Sequence, residues 1–511
     1  MNQCTVAQRY INLMAKAFQI LCSVSGVQLI LSKATAENSG INDYVKSQFD
    51  EVRKQDLTVL LNVIQELLST MIEAPPAQQL SYAAAICLCM DQQICYADVP
   101  NVWESGRLCL HSLVPIQSDK HPVVGTSLND NWEETGVCIA PKFPVSMAQV
   151  SADSHTVERA LTSRDALYGI NDKLENVSYY PWVKNTPTVQ HIILPERPLH
   201  EEGILLPEET RIVFSPLTDR ADLLNTNKCL YKGADGIPFQ GVSVEGITDP
   251  EYVEECFTNS WLASCEKSPD IFFAPEMLAT DKMVCVEHNG SQFLKPLLTQ
   301  ATLNGWKVPR LTIMPTYWKN RSNSLLIFDE TGRHLGIQFK RFPYVDERNG
   351  CMEALDWPPA KTDVLMIHMK NQQRIAIVIC AEFLLGMKPY VSEFLCSQLG
   401  ATLILVPSYS LGEQDFVSAL SALKPYGTSV VWGNCCGAVP HKGGQTATRI
   451  IGGCSYAGID EQTRLGSVSE CAFHCGECKT CFFFNISYCC ANTFRYRISI
   501  AFLFYPETNR Y

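Results

Sequence analysis

Positive charge is in short supply in this sequence. Its 511 residues hold 41 Lys and Arg against 53 Asp and Glu, a net charge of −12. Displacing phosphate counterions needs a basic surface, so non-specific nucleic-acid binding is excluded as the main role, although a local basic patch is not. Charge of either sign is modest at 18% of residues, while 46% are hydrophobic. A chain so composed buries a core and is not intrinsically disordered. Long apolar runs are missing from the N-terminus. Arg9 and Lys16 interrupt its apolar pattern, and the uncharged run from Ala17 to Ser32 falls short of the roughly 20 residues a bilayer-spanning helix requires. The expectation is an amphipathic helix, with no secretory signal and no membrane association.

Cysteine, by contrast, is abundant. There are 23, an odd number, scattered through apolar runs. Without a leader they read as reduced thiols in a cytoplasm and not as a disulfide framework. The length implies two or three domains.

Residues 1–95 are expected to be helical. Leu57, Leu60, Leu61, Ile64, Leu67, Leu68 and Met71 repeat near every 3.6 residues, and Pro75-Pro76 ends that helix. Residues 96–185 are mixed and carry no assignable period. Residues 186–236 are rich in proline and read as a connection. From 237 to 511 strands and helices alternate. Asp249-Pro250 forms a helix start, and SLLIFDE with HLGIQFK, joined by Thr331-Gly332-Arg333, has the look of a hairpin. A mixed, largely buried α/β sheet follows.

Three of these apolar strands end in polar residues: FFAPE at Glu276, HLGIQFK at Lys340 and RIAIVIC at Cys380. A lone Cys closing a buried strand is most often an inert hydrophobe. A Glu, a Lys and a Cys at three strand ends form a set suited to acyl transfer. The carboxylate takes the thiol proton, the thiolate attacks, and the ammonium stabilises the oxyanion. In open α/β sheets such sites gather at the carboxyl ends of strands.

The order and context of these residues resemble the carbon–nitrogen hydrolase, or nitrilase, superfamily over about residues 237–490. The resemblance is carried by FFAPE, by NRSNSLLIFDETGRHLGIQFKR, by RIAIVICAE, by LGATLILVPS, by VVWGNCCG and by GGCSYAGIDEQTRLG. It implies a nitrilase-like α-β-β-α sandwich, and the helical period of residues 1–95 sets a mostly helical N-terminal domain before it. It also implies cleavage of a non-peptide carbon–nitrogen bond, in an amide or nitrile, through a Cys380 thioester, with Glu276 as base, Lys340 and the Ala381 N–H at the oxyanion, and no cofactor. Glu347, seven residues after Lys340 and followed by Arg348, matches a second glutamate that some members use to hold substrate and lysine. Glu382, two after the thiol, matches an acid of supporting role. Ala381 stands where the family often has a bulky aromatic, which removes a clue to substrate.

Other readings stay open. The same triad serves acyl transfer to an amine, and an idle nitrilase-like scaffold would use its N-terminal helices to bind a protein partner. A homo-oligomer is expected for the enzyme. Cys471, Cys475, Cys478 and Cys481 are spaced tightly enough to hold zinc or an iron–sulfur cluster, against a metal-free Cys-rich hairpin whose strand begins at Phe482.

Overall fold

The computed structural model describes residues 3–23, 40–52, 57–95, 108–109, 123–124, 127–141, 174, 176–181, 189–194, 208–218, 220–232, 238–346, 350–356, 364–369, 374–426, 428–438, 449–455, 468–471 and 482–488. The chain divides into two compact units. One takes in residues 1–200, 366–375 and 392–402; the other takes in 201–365, 376–391 and 403–511.

In the first unit the helices Gln3–Cys22, Ile41–Val52, Leu57–Glu73 and Pro76–Gln92 share one core. Leu60, Leu61, Ile64, Leu67, Leu68 and Met71 form the buried stripe of the third, as helical spacing requires. Pro75 and Pro76 separate it from the fourth, where Pro76 occupies the first turn and loses no hydrogen bond by lacking an N–H. Buried Asp91 accepts from the backbone N–H groups of Asn176 (3.0 Å) and Val177 (2.9 Å). Val177–Pro181 pairs antiparallel with Val137–Pro141. The strand Val189–Ile193 carries buried His191, whose Nδ1 lies 2.9 Å from Nε2 of buried His368.

Among its described residues the second unit is built on two large sheets. The first runs in the order Tyr317–Lys319, Ser322–Asp329, Leu311–Ile313, Ile271–Phe273, Glu208–Phe214, Phe482–Tyr488, and His334–Phe339 pairs with Ser322–Asp329. Gly332 closes that hairpin at φ 79°, a conformation glycine adopts without steric cost. In the second, Leu403–Ser408 lies parallel to Ser429–Asn434, followed by antiparallel Arg449–Ser455 and Val468–Cys471. On the other side of Leu403–Ser408, the N–H groups of Val378 and Cys380 donate to Leu405 and Pro407 at 3.0 and 2.9 Å.

Alternation along each strand sets what it touches. Val213 and Phe272 join Val253, Phe257 and Trp261 of the helix Pro250–Cys265 in one core. The next residues, Phe214 and Phe273, meet each other at 4.8 Å between centroids. The Phe214 ring lies against Gly433 of the second sheet, where an added Cβ would come within 2.3 Å of it, so only glycine permits that approach. Trp432, one residue earlier, stacks at 5.1 Å on Phe416 of the helix Glu413–Ala419.

The stretch 186–236, expected as a connection, carries the strands Val189–Ile193, Glu208–Phe214 and Leu224–Lys232. Pro216, the described proline that follows Glu208–Phe214, lies outside that strand, where the missing N–H breaks no ladder. Glu208–Phe214 pairs with Ile271–Phe273 and with Phe482–Tyr488, so the sheet draws on residues before 237. A helix expected near 389–399 is found as Met387–Gln398, wound as a π-helix. No helix among the described residues is long and apolar enough to cross a membrane.

Candidate active site

The segment after Arg374–Ile377 stays extended to Ile379 and then turns sharply. Cys380 sits at the turn with φ 51°, a left-handed conformation that costs a non-glycine residue on the order of 1–3 kcal/mol. The chain re-enters a helical turn at once: Phe383 N–H donates to the Cys380 carbonyl at 2.9 Å, and Leu385 N–H to that of Ala381 at 2.8 Å. Ala381, with φ −57° and ψ −21°, therefore opens the short helix Glu382–Leu385. Strand, elbow and helix leave the thiol on a backbone that neighbours on both sides hold in place.

Glu276 lies past the end of Ile271–Phe273, fully buried. Its Oε1 accepts from Lys340 Nζ at 2.7 Å and from Asn323 Nδ2 at 2.9 Å, and its Oε2 from the Tyr409 N–H at 3.3 Å. The Cys380 thiol is hydrogen-bonded to the same carboxylate. The residue after it, Met277, has φ 67°, so the backbone is strained beside both partners of that contact. Lys340 lies just beyond His334–Phe339. Its ammonium is enclosed and meets two carboxylates, Glu276 at 2.7 Å and Glu353 Oε2 at 2.6 Å. Asn323 also spans the pair, donating to Glu353 Oε1 at 3.3 Å.

The electrostatics follow from burial and neighbours. Burial alone would push the Lys340 ammonium down, but Glu276 and Glu353 outweigh it and hold Lys340 above the ordinary lysine value, so it stays charged. Burial raises Glu353, against the pull of Lys340. Burial and then the Glu276 charge push the Cys380 thiol well above its ordinary value, with Lys340 opposing. The resting site is therefore a protonated thiol directed at a carboxylate, with an ammonium already in place.

The structure thus brings Glu276, Lys340 and Cys380 together, with Ala381 at the turn. Glu347 lies outside the described residues, as do Cys475, Cys478 and Cys481. Cys471 ends the strand Val468–Cys471. The acid that holds Lys340 together with Glu276 is Glu353, which sequence reasoning missed. It sits on the three-residue strand Cys351–Glu353, parallel to Gln240–Val242, and its one local signal is an acid inside the apolar run Met352 to Leu355. Asn323 stands in the segment NRSNSLLIFDETGRHLGIQFKR that carries the resemblance, which gave it no role of its own. Asn434 holds the loop that carries Tyr409: its Oδ1 accepts from Ser410 N–H at 2.9 Å and its Nδ2 donates to the Ser410 carbonyl at 2.8 Å. Among the described residues no cluster of three or more His, Cys, Asp or Glu is arranged to hold a metal ion.

No family model and no curated protein matches the chain. Among solved structures it is similar to an amidase from Nesterenkonia sp., at 12% identity and a TM-score of 0.26 over 46% of this chain and 78% of that one. A cysteine-to-serine mutant of the Nesterenkonia AN1 amidase from the nitrilase superfamily gives 13% and 0.28 over 45% and 78%. A mutant of that amidase carrying the acetamide moiety of fluoroacetamide on its active-site cysteine gives 13% and 0.27 over 44% and 75%. Overlaps of this size are too slight to transfer any of those activities to this chain.

Proposed function

We propose that the second unit is a cysteine-dependent carbon–nitrogen hydrolase of amidase type, with the layered α-β-β-α architecture of the nitrilase superfamily. The observation that carries this is the buried constellation itself: a thiol at a strained elbow, hydrogen-bonded to a carboxylate that also holds an enclosed lysine at 2.7 Å. Enclosing a lysine and two carboxylates costs several kcal/mol per ion before their mutual attraction is counted. A domain that only packed would reach the same volume with apolar residues. Phe214 against Gly433, with helices packed by Phe257 on Phe272 and by Phe416 on Trp432, supports the layered reading.

In this mechanism Glu276 takes the Cys380 proton as Sγ attacks the carbonyl carbon of an amide. The new C–S bond drives the carbonyl electrons onto oxygen, where the Lys340 ammonium and the Ala381 N–H hold the charge. Glu276 returns the proton to the amide nitrogen, the C–N bond breaks and the amine leaves. Water, giving a proton to Glu276, then attacks the thioester and frees the acid and the thiol. A raised thiol pKa suits this sequence, because the nucleophile forms only as the proton moves to Glu276. Glu353 keeps Lys340 charged and in place throughout. A cytoplasmic location belongs to the same proposal: 23 cysteines scattered through apolar runs suit a reducing compartment.

Iodoacetamide treatment of the whole protein, with each thiol mapped by mass spectrometry, tests the reading. Cys380 should label ahead of every other thiol, and Glu276→Gln should abolish that preference. Release of ammonia from small aliphatic amides should vanish in Cys380→Ala. Uniform labelling would return the chain to the idle-scaffold reading.

A further inference from the structure

Glu382 is fully buried, two residues after the thiol, and the mechanism above gives it no task. Its two carboxylate oxygens serve two different segments. Oε2 accepts from the Ile379 N–H at 2.8 Å, one residue before the nucleophile. Oε1 accepts from the Arg341 N–H, one residue after the lysine. The first bond is local, but the second joins segments 41 residues apart in the chain. The same two segments also pack side by side. The Phe342 ring lies 5.8 Å from that of Tyr390, the Arg341 guanidinium lies 5.2 Å over the Tyr390 ring, and a Cβ at Gly386 would stand 3.1 Å from the Phe342 ring.

We propose that Glu382 is a positioning residue whose single carboxylate ties the backbone at the nucleophile elbow to the backbone at the lysine strand end, and so sets the separation of Cys380 from Lys340. The proposal rests on the triad reading and deepens it. The elbow needs such a tie, because Cys380 holds a left-handed conformation that its own sequence does not favour. Packing of Phe342 on Tyr390 brings the two segments together without fixing their register. A carboxylate with one oxygen on each N–H fixes it. A carboxamide does not, because its second arm is a donor and would face a second donor. The groups that face Glu382 are Lys340 and Arg341 from the lysine segment and Tyr390 from the following helix. Burial, opposed by the two N–H bonds and the two cations, raises Glu382 to about 7, so the tie is fully ionised only above neutrality.

The test uses the full-length protein and the rate of Cys380 alkylation by iodoacetamide, per folded molecule, across pH 5–9 (roughly two pH units either side of that ionisation). Wild type should show an ionisation near pH 7 beside that of the thiol. Glu382→Gln should lose that ionisation and label roughly 10- to 100-fold more slowly, the scale of a displacement of about an ångström. Glu382→Asp, which keeps both acceptors on a shorter arm, should recover part of the rate. A purely structural Glu382 would lower the melting temperature and leave the rate per folded molecule and its pH profile as in wild type, and that outcome overturns the proposal. Should Glu382→Gln fail to fold, the wild-type profile decides, and a single ionisation counts against the tie. Failure of the triad reading looks different: Cys380 would not be selective in wild type at all.

Discussion

The histidine pair buried in the first unit and the carboxylates Glu353 and Glu382 buried in the second shift in opposite senses. In the first, burial pushes His191 down to about 3, and His368, beside it at 2.9 Å, is lowered as well, by burial and then by His191 and Arg374. In the second, burial raises Glu382 to about 7 and Glu353 above the ordinary carboxylate value. Both units therefore favour the neutral form of a group that would ionise in water. The consequences for stability run in opposite directions along the pH scale. The partners differ too. Asp91 of the first unit accepts from backbone N–H groups, as structural carboxylates do, whereas Glu276 and Glu353 face a side-chain ammonium, and Glu276 a thiol as well. Burial alone does not mark a reactive site. Buried groups arranged so that protons can pass between side chains do.

The histidine pair gives the largest expected effect. The folded-state value of His191 lies below its unfolded value of 6.5, so its contribution is fully present above pH 6.5 and is lost as pH falls toward 3. The loss approaches about 5 kcal/mol at the acid end. Urea midpoints measured from pH 7 to 4 should fall steeply in wild type and flatten in a His191→Asn, His368→Asn double variant. An unchanged slope would break the contrast between the units.

Next in size is Lys340→Met. Removing the ammonium leaves Glu276 and Glu353 without their counter-ion, a change expected to cost about 3–5 kcal/mol at pH 7 and to end Cys380 labelling. The deficit should shrink in mildly acidic buffer, where Glu353, already raised by burial, takes up a proton. A third effect belongs to Glu382. Its raised folded-state value means that its contribution is complete below pH 4.5 and is lost as pH rises through about 7, on the order of 3 kcal/mol. Stability of Glu382→Gln relative to wild type should therefore improve from pH 4.5 to 8. Wild type would then keep, at neutral pH, a charge that weakens its fold and serves the site.

How much of this was legible varies with the range of the interaction. The ends of the strands at Glu276, Lys340 and Cys380 stood out because a polar residue closing a run of Ile, Val and Phe is a local pattern. The helix start at Asp249-Pro250 was equally local, and Asp249 accepts from the Tyr252 N–H at 3.2 Å. Glu353 was not legible. Its place beside Lys340 depends on a three-residue strand pairing with Gln240–Val242, which no short window contains. The same holds for Glu208–Phe214, whose neighbours Ile271–Phe273 and Phe482–Tyr488 are remote in sequence. His191 and His368 share no signal in the sequence, since only tertiary pairing joins residues so far apart. The π winding of Met387–Gln398 has no sequence period of its own that separates it from an α-helix.

The smallest effect asks whether strain sits at the elbow and not elsewhere. Cys380 has φ 51°, so a glycine there avoids a steric penalty that alanine keeps, worth about 1 kcal/mol. Cys138 lies in the regular strand Val137–Pro141 of the first unit, where the preference reverses and glycine costs roughly 0.5–1 kcal/mol relative to alanine. Both Cys380→Gly and Cys380→Ala lose the thiol and its hydrogen bond to Glu276, so those losses cancel when the two variants are compared. Denaturant midpoints should rank Gly above Ala at position 380 and Ala above Gly at position 138, and neither variant at 380 should cleave an amide. The same order at both positions would mean that the turn relaxes freely, and the elbow would then owe its shape to no more than local packing. The reversed order would show that the chain holds its thiol in a conformation the residue itself disfavours, which only the surrounding hydrogen bonds, Glu382 among them, can maintain.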